Sequence, residues 1–435
     1  MHPRRRAPAL RLHRSRLRFA LDAPAADGLM ARVTTDPDTA ASPAGQRPAL
    51  VIAALVLVAL NLRPAITSIG PVSDDLRADL GVSRALAGLL TSLPVLCMGL
   101  FAPVAGALGA RLGPERTVAA CLALIGLATA LRLEPIGFAG LLGTAVAAGI
   151  GIAIAGPLLS AFIKGRFPGG AAPVMGLFSM GLTLGAALAA GASAPLQELT
   201  GSWRFALGAW AVVAVVALGA WRLAAAGTRQ RPGAGQAAAP LPWTSPRAWL
   251  LMAYFGLQSS LYYAIMAWLA PRYLELGASG ARAGALLTAV AVAQTCASLG
   301  MPMLAARSLD RRPWLVLSSA LVAAGLGAVA YAPLAAPWLW ALLLGTGTGG
   351  LFALSLTLPL DDADSPQEAG SLTAMMLGGG YLIASAGPYA VGALRDASGS
   401  YRSAFAWLMA VGVAVALLAR WLGPRLRAGT RPATP

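Results

Sequence analysis

Twelve apolar stretches of about twenty residues each divide this chain, and nothing else in it constrains the fold as tightly. Twenty residues of helix, rising 1.5 Å apiece, cross about 30 Å of hydrocarbon. Segments that qualify begin near Ala49, Ala85, Thr117, Ile136, Pro173 and Trp203, then near Arg247, Ala283, Pro313, Ala336, Ala369 and Arg402. Composition agrees: 57% of the 435 residues are hydrophobic and 11% are charged, against about one quarter charged in soluble domains. The expectation is an all-α membrane protein of about twelve transmembrane helices, arranged as two pseudo-symmetric six-helix bundles. The boundaries read as a disordered basic tail over 1–47, a first bundle over 48–226, a linker over 227–246, a second bundle over 247–422 and a C-terminal tail over 423–435. The linker is rich in Gly, Ala, Pro and Gln, a composition that makes flexible connections.

The net charge of +16 suggests nucleic acid at first sight, but its distribution argues against that partner. Nine arginines precede residue 48, and most of the rest sit in short connections between apolar stretches. Basic connections beside membrane spans follow the positive-inside rule. With both termini and the even-numbered connections inside, the inner loops hold Arg111, Arg116, Lys164, Arg166, Arg229, Arg231, Arg307, Arg311 and Arg312. The outer connections hold fewer, among them Arg77, Arg84, Arg204, Arg272 and Arg402. One inner loop dissents, carrying Asp361, Asp362, Asp364 and Glu368 without a positive residue. Acids count for little in the rule, so the expected placement is the inner membrane, multi-pass, with cytoplasmic termini. The tail lacks the apolar core of a signal peptide. Two readings of it stay open: a polybasic segment lying on anionic lipid, or translation starting at Met30.

Several chemistries are absent from the pattern. Cys97, Cys121 and Cys296 lie in apolar stretches, odd in number and with no metal-ligand spacing. His2 and His13, both in the tail, are the only histidines. No phosphate-binding Gly-x-x-x-x-Gly-Lys-Ser/Thr loop occurs. The expectation is no enzyme, no metal and no cofactor; the partners are a small solute and membrane lipid, and the chain is a monomer.

The two halves echo each other. Gly201-Ser202-Trp203-Arg204 recurs as Gly399-Ser400-Tyr401-Arg402 at an offset of 198, Leu89-Leu90-Thr91 as Leu286-Leu287-Thr288 at 197, and Gly149 and Gly151 as Gly347 and Gly349 at 198. Two similar six-helix halves joined by an inner linker resemble the organisation of the major facilitator superfamily.

Polar groups are expensive in hydrocarbon, so those within the spans form the short list for function. Arg63 stands out, about fifteen residues into the first span in Asn61-Leu62-Arg63-Pro64. A charge there costs about 2.5–3.5 kcal/mol on insertion scales, and Pro64 frees the carbonyl one turn earlier, at Leu60. No acidic residue sits in the middle of any span to pair with it. Adding the repeat offset of 197 to Arg63 leads to Ser260, beside Gln258 and Tyr262, which are four apart and share a helix face. Weaker candidates are Ser160, Lys164, Gln294, Thr295 and Tyr381. Gly181, Gly185, Ala189 and Gly378 to Gly380 suit close helix packing. The substrate-binding set is therefore Asn61, Arg63, Gln258, Ser260, Tyr262 and Tyr381.

The connection Gly106-Ala107-Leu108-Gly109-Ala110-Arg111-Leu112-Gly113-Pro114-Glu115-Arg116 resembles the superfamily's inner loop pattern, with Ala110 at its usual Asp position. Gly106, Arg111, Gly113 and Arg116 are thereby expected to form a cytoplasmic gating loop whose charge clamp is incomplete. Asn61-Leu62-Arg63-Pro64 with Gly70-Pro71, Phe255-Gly256-Leu257-Gln258-Ser259 with Tyr262-Tyr263 and Trp268-Leu269-Ala270-Pro271, and Gly380-Tyr381-Leu382-Ile383-Ala384 with Gly387-Pro388 are similar to the first, seventh and eleventh helices of the cyanate permease and 2-nitroimidazole transporter family. The resemblance implies a secondary transporter that moves a small anion or a nitroimidazole-like compound by alternating access. A broader-specificity efflux carrier of the same superfamily and a non-transporting solute sensor are the alternatives.

The charge bias yields a direct test of topology. Alkaline phosphatase fused after Gln236 should be inactive, and green fluorescent protein fused there should fluoresce; the reverse pair of results removes the orientation.

Overall fold

The computed structural model describes residues 48–167, 171–225, 241–305, 308, 310–363 and 366–423. The N-terminal tail, the last residue of the first bundle (226), residues 227–240 of the linker, nearly all of the C-terminal tail, Arg307, Asp364 and the Lys164 side chain lie outside the described residues. Among the described residues, twelve helices are long and apolar enough to cross a membrane. In the first half they are α1 (Pro48–Leu80), α2 (Arg84–Phe101), α3 (Pro114–Leu133), α4 (Gly137–Ile163), α5 (Val174–Thr200) and α6 (Trp203–Ala224). In the second half they are α7 (Pro246–Glu275), α8 (Gly280–Ala305), α9 (Arg312–Tyr331), α10 (Pro337–Ser355), α11 (Glu368–Ser398) and α12 (Tyr401–Ala419). The linker's last expected residue, Pro246, is already the first of α7, whose N-terminus is capped by the Ser245 hydroxyl.

Packing repeats across the halves. In the first, α2 lies on α4, α3 on α4 and α6, and α1 on α5; in the second, α8 lies on α10, α9 on α10 and α12, and α7 on α11. The halves meet through α2 with α11 and through α5 with α8, a pair of contacts that exchange under the same pseudo-two-fold relation. Small residues let these helices approach backbone to backbone. A Cβ built on Gly88 of α2 would lie 2.7 Å from the Pro388 carbonyl oxygen, and one on Gly284 of α8 would lie 2.9 Å from that of Ala190.

These contacts correct the register of the internal repeat. Gly149 faces α2 at Pro94, whereas Gly347 faces α9 at Ser318 and Val322. The residue of α10 that faces α8 as Gly149 faces α2 is Gly345, set against Val290 and Ala293. Gly88 and Gly284, then Gly149 and Gly345, are related by 196 residues and not 198. On α1 the same offset carries Gly70 onto Met266, and a Cβ on Gly70 would lie 2.6 Å from the Met266 carbonyl oxygen, so a residue meets its own counterpart near the pseudo-axis. At α6 and α12 the offset of 198 does hold: Gly201 and Gly399 both close a helix with positive φ, at 68° and 70°. The second half has gained two residues between those points.

The end of the bundle bearing the α1–α2 and α11–α12 connections is closed. Asp396 of α11 accepts from the Ala85 amide at 2.8 Å, which places a carboxylate from one half on the helix N-terminus of the other. Arg84 stands 4.0 Å from the same carboxylate and donates to the Tyr401 hydroxyl at 3.3 Å. Deeper, the Tyr389 amide donates to Ser92 Oγ at 3.2 Å.

At the opposite end the acidic loop finds its cations within its own half. Asp362, 4% exposed, accepts from Arg247 at 2.6 and 3.0 Å, and Asp361 pairs with Arg311 at 2.6 Å. Burial pushes the Asp361 carboxyl above its ordinary value, against the pull of Arg311. Two of the acids that broke the positive pattern, Asp361 and Asp362, are thus paired by the α8–α9 connection and by α7.

Gly88→Val should force α2 and α11 apart at the closed end. In a cysteine-free background, Ser92→Cys, 5% exposed as Ser, should react with a maleimide several-fold faster in detergent when Gly88→Val is added. An unchanged rate in well-folded protein would contradict a contact made of backbone against backbone.

Candidate solute-binding site

Pro64 lacks the amide that would bond the Leu60 carbonyl, and α1 breaks there. The helix runs Pro48–Asn61, resumes as a single turn at Pro64–Thr67 with Arg63 as its N-cap residue, and tightens to a 3-10 turn at Gly70–Val72. The freed Leu60 carbonyl rests against Gly185 of α5, where any Cβ would collide with it. The break turns Arg63 into a cavity of about 320 Å³ between the halves.

Around that cavity α1 supplies Arg63, α7 supplies Gln258, Ser259, Tyr262 and Tyr263, α8 supplies Gln294, α10 supplies Thr348 and Phe352, and α11 supplies Tyr381. It extends to Met175, Pro302 and Leu356 at the ends of α5, α8 and α10, which is the end opposite the closed contacts. Among the described residues no carboxylate lines it. Arg63 Nη1 donates to the Tyr263 hydroxyl at 2.9 Å, and that hydroxyl faces Met98 Sδ of α2 at 3.7 Å. The Arg63 contact crosses from one half to the other. The Tyr262 and Tyr263 rings meet edge to face at 5.1 Å, and Tyr381 sets its edge on Phe255 at 5.3 Å. Gln258 donates to Ser259 Oγ at 2.8 Å. Gln294 is 7% exposed, and its Oε1 has no hydrogen-bond partner.

Of the residues expected from sequence, Arg63, Gln258, Tyr262 and Tyr381 come together at this cavity, and Gln294 joins them. Ser260 does not: it packs on Gly387 of α11, while Ser259 lines the cavity. The offset of 196 makes Ser259 the counterpart of Arg63, so the misplacement follows from the register error. Asn61 is buried outside the lining, with Nδ2 unpartnered. Ser160 and Thr295 return their hydroxyls to the Gly156 and Ala291 carbonyls of their own helices. Gly379 and Gly380 pack against Met252 and Phe255. In the α2–α3 connection Gly113 turns the chain at φ 86° and its carbonyl accepts from Thr117 Oγ1 at 2.8 Å. Gly106, Arg111 and Arg116 are exposed, and neither arginine has an ion pair among the described residues. Two participants escaped the sequence reading. Tyr263 lies 200 positions from Arg63, and Arg132, flanked by leucines near a connection, carries no local signal of burial although it is 1% exposed.

The sequence matches the Major Facilitator Superfamily over residues 51–388. It is 38% identical to the cyanate transport protein CynX of Escherichia coli (strain K12) over 369 residues, which cover 84% of this chain and 95% of that protein. The chain belongs to this superfamily, in the family of the cyanate and 2-nitroimidazole transporters. The 2-nitroimidazole transporter of Escherichia coli (strain K12) is 33% identical over 362 residues, 82% of this chain and 91% of that one. The fold is shared more widely: the nucleoside transporter NupG superposes with a TM-score of 0.71 at 12% identity, over 86% of this chain and 99% of that chain. The protein is thus a multi-pass membrane protein of a transporter family, and Arg63 lies in its central cavity.

The contact between Arg63 and Tyr263 should show as a coupling in thermal unfolding. A hydrogen bond to a charged group contributes about 1.5–3 kcal/mol. Arg63→Met and Tyr263→Phe should each destabilise, and the double variant should be no less stable than Arg63→Met alone. Strict additivity would show that the bond contributes nothing.

Proposed function

We propose that this protein carries a small anion, or a planar and strongly electronegative solute, across the membrane by alternating access, with Arg63 as the charge that selects it. One observation carries the reading. A guanidinium stands in the cavity between the halves with a tyrosine hydroxyl as its partner and no carboxylate among the described lining residues. An arginine keeps its charge under all ordinary conditions and offers a planar fork of donors. A bound anion supplies the missing negative charge, and the flanking tyrosines and Gln258 supply flat walls and an orienting amide. Relatives named for cyanate and for 2-nitroimidazole support both solute types as first probes.

The asymmetry of the site fits a moving carrier. The cation comes from the first half, and the neutral polar and aromatic groups come mainly from the second, so an anion seated on Arg63 would draw the halves together. The cavity reaches the end that carries the even-numbered connections, and the positive-inside bias puts that end in the cytoplasm. The conformation is therefore read as inward-facing, in an inner membrane and with cytoplasmic termini. Among the described residues the lining has no histidine, cysteine or carboxylate, and offers neither catalysis nor a proton relay the usual acid–base pair. Facilitated diffusion or anion-linked exchange is the form of transport that suits it.

Counterflow of labelled cyanate and 2-nitroimidazole in proteoliposomes tests the reading and separates a carrier from a sensor. Arg63→Gln should nearly abolish flux. Arg63→Lys, which keeps the charge without the fork, should raise the apparent KM. Gln258→Ala should raise KM with a smaller loss of maximal rate. Wild-type flux through Arg63→Gln, at equal amounts of inserted protein, would overturn the assignment.

A further inference from the structure

We propose that Arg132 is a positioning residue for the solute site: it holds the broken segment of α1 that aims Arg63 into the cavity. The inference rests on the role read for Arg63. Arg132 sits in the closing turn of α3, at Leu131–Leu133, and is 1% exposed. Its Nη1 donates to the Ala65 carbonyl at 2.9 Å. Its Nε donates at 3.1 Å to Thr144 Oγ1 of α4, whose own proton goes to the Leu141 carbonyl at 2.7 Å. The Thr144 hydroxyl is thereby oriented with its lone pairs toward Arg132.

Ala65 is two residues beyond Arg63, inside the single turn Pro64–Thr67. That turn is bounded on both sides by interruptions of its own helix and packs on α5, so a hydrogen bond to its backbone adds a directional hold to that packing. Arg132 ties it to α3 and, through Thr144, to α4. The comparison of the two halves sharpens the point. In the second half α7 runs unbroken from Pro246 to Glu275 and needs no such tie, and the corresponding turn of α9, Gly327 to Val329, carries no charge. A buried guanidinium without an acid is costly, and here Nη2 has no partner at all. The charge is found only in the half where the helix bearing the site is broken.

The test combines solute binding with backbone exchange. Binding of cyanate and of 2-nitroimidazole to purified protein should weaken on the order of tenfold in Arg132→Met, by analogy with the loss of a partner that orients a metal ligand. The maximal counterflow rate per folded molecule should fall less than affinity does. Arg132→Lys, which can still reach the Ala65 carbonyl, should recover most of the affinity, and Thr144→Val should fall between. Amide hydrogen exchange over residues 65–72 should quicken in Arg132→Met and stay near wild type in Arg132→Lys. If Arg132→Met does not fold, Thr144→Val decides by the same measurements. Unchanged affinity together with unchanged exchange in a folded variant overturns the proposal, as does slower exchange. If wild-type protein binds neither probe, the function read for Arg63 fails, and exchange over residues 65–72 alone decides whether Arg132 holds the segment.

Discussion

A single arginine at a helix break organises the centre of this protein. A charge inside a bundle of apolar helices is tolerated only where it faces protein or water and finds a partner. Arg63 finds a tyrosine hydroxyl on the opposite half, a partner that satisfies one donor and neutralises nothing. Had the partner been an aspartate, the pair would have closed the account internally and left no electrostatic reason for a solute to enter. The break at Pro64 is part of the same arrangement. It turns the side chain into the cavity and frees the Leu60 carbonyl, which meets Gly185, while just beyond it the Ala65 carbonyl is held by Arg132.

The architecture was legible in the sequence because the bilayer leaves few options. A chain must bond its own backbone inside hydrocarbon, so apolar length and loop charge translate almost directly into helix count. The expected start of α3 fell three residues late, at Thr117 for Pro114, because Pro114 and Glu115 read as loop although Pro is favoured at the first helical position. Arg63 was legible for a related reason: a charge at that depth is costly, and no acid in the middle of a span offers it a structural pair. Gln258 and Tyr262 followed from helical spacing within one span.

What the sequence concealed depends on relations between helices. The repeats, read singly, mix offsets of 197 and 198, and an offset of 197 leads from Arg63 to Ser260 instead of Ser259. Helical phase makes an error of one residue into about 100° of rotation, enough to move a side chain from cavity to interface. Only the contacts of Gly88, Gly149, Gly284 and Gly345 show that 196 is right in this part of the chain. Tyr263 and Arg132 were hidden by the same limit, since each acquires its meaning from a residue distant in sequence.

The glycine seams between α2 and α11 and between α5 and α8 bear on how fast such a protein can work. Where two helices touch backbone to backbone, parting them releases few side-chain rotamers and rejoining them freezes few, so the transition carries little of the ordering entropy that long side chains impose. On the proposed alternating-access reading, the seam would behave as a smooth bearing surface, with the friction of the cycle concentrated in the few polar links across it, such as Asp396 on the Ala85 amide. Selection could tune turnover by strengthening or loosening those links one at a time while leaving the solute cavity untouched.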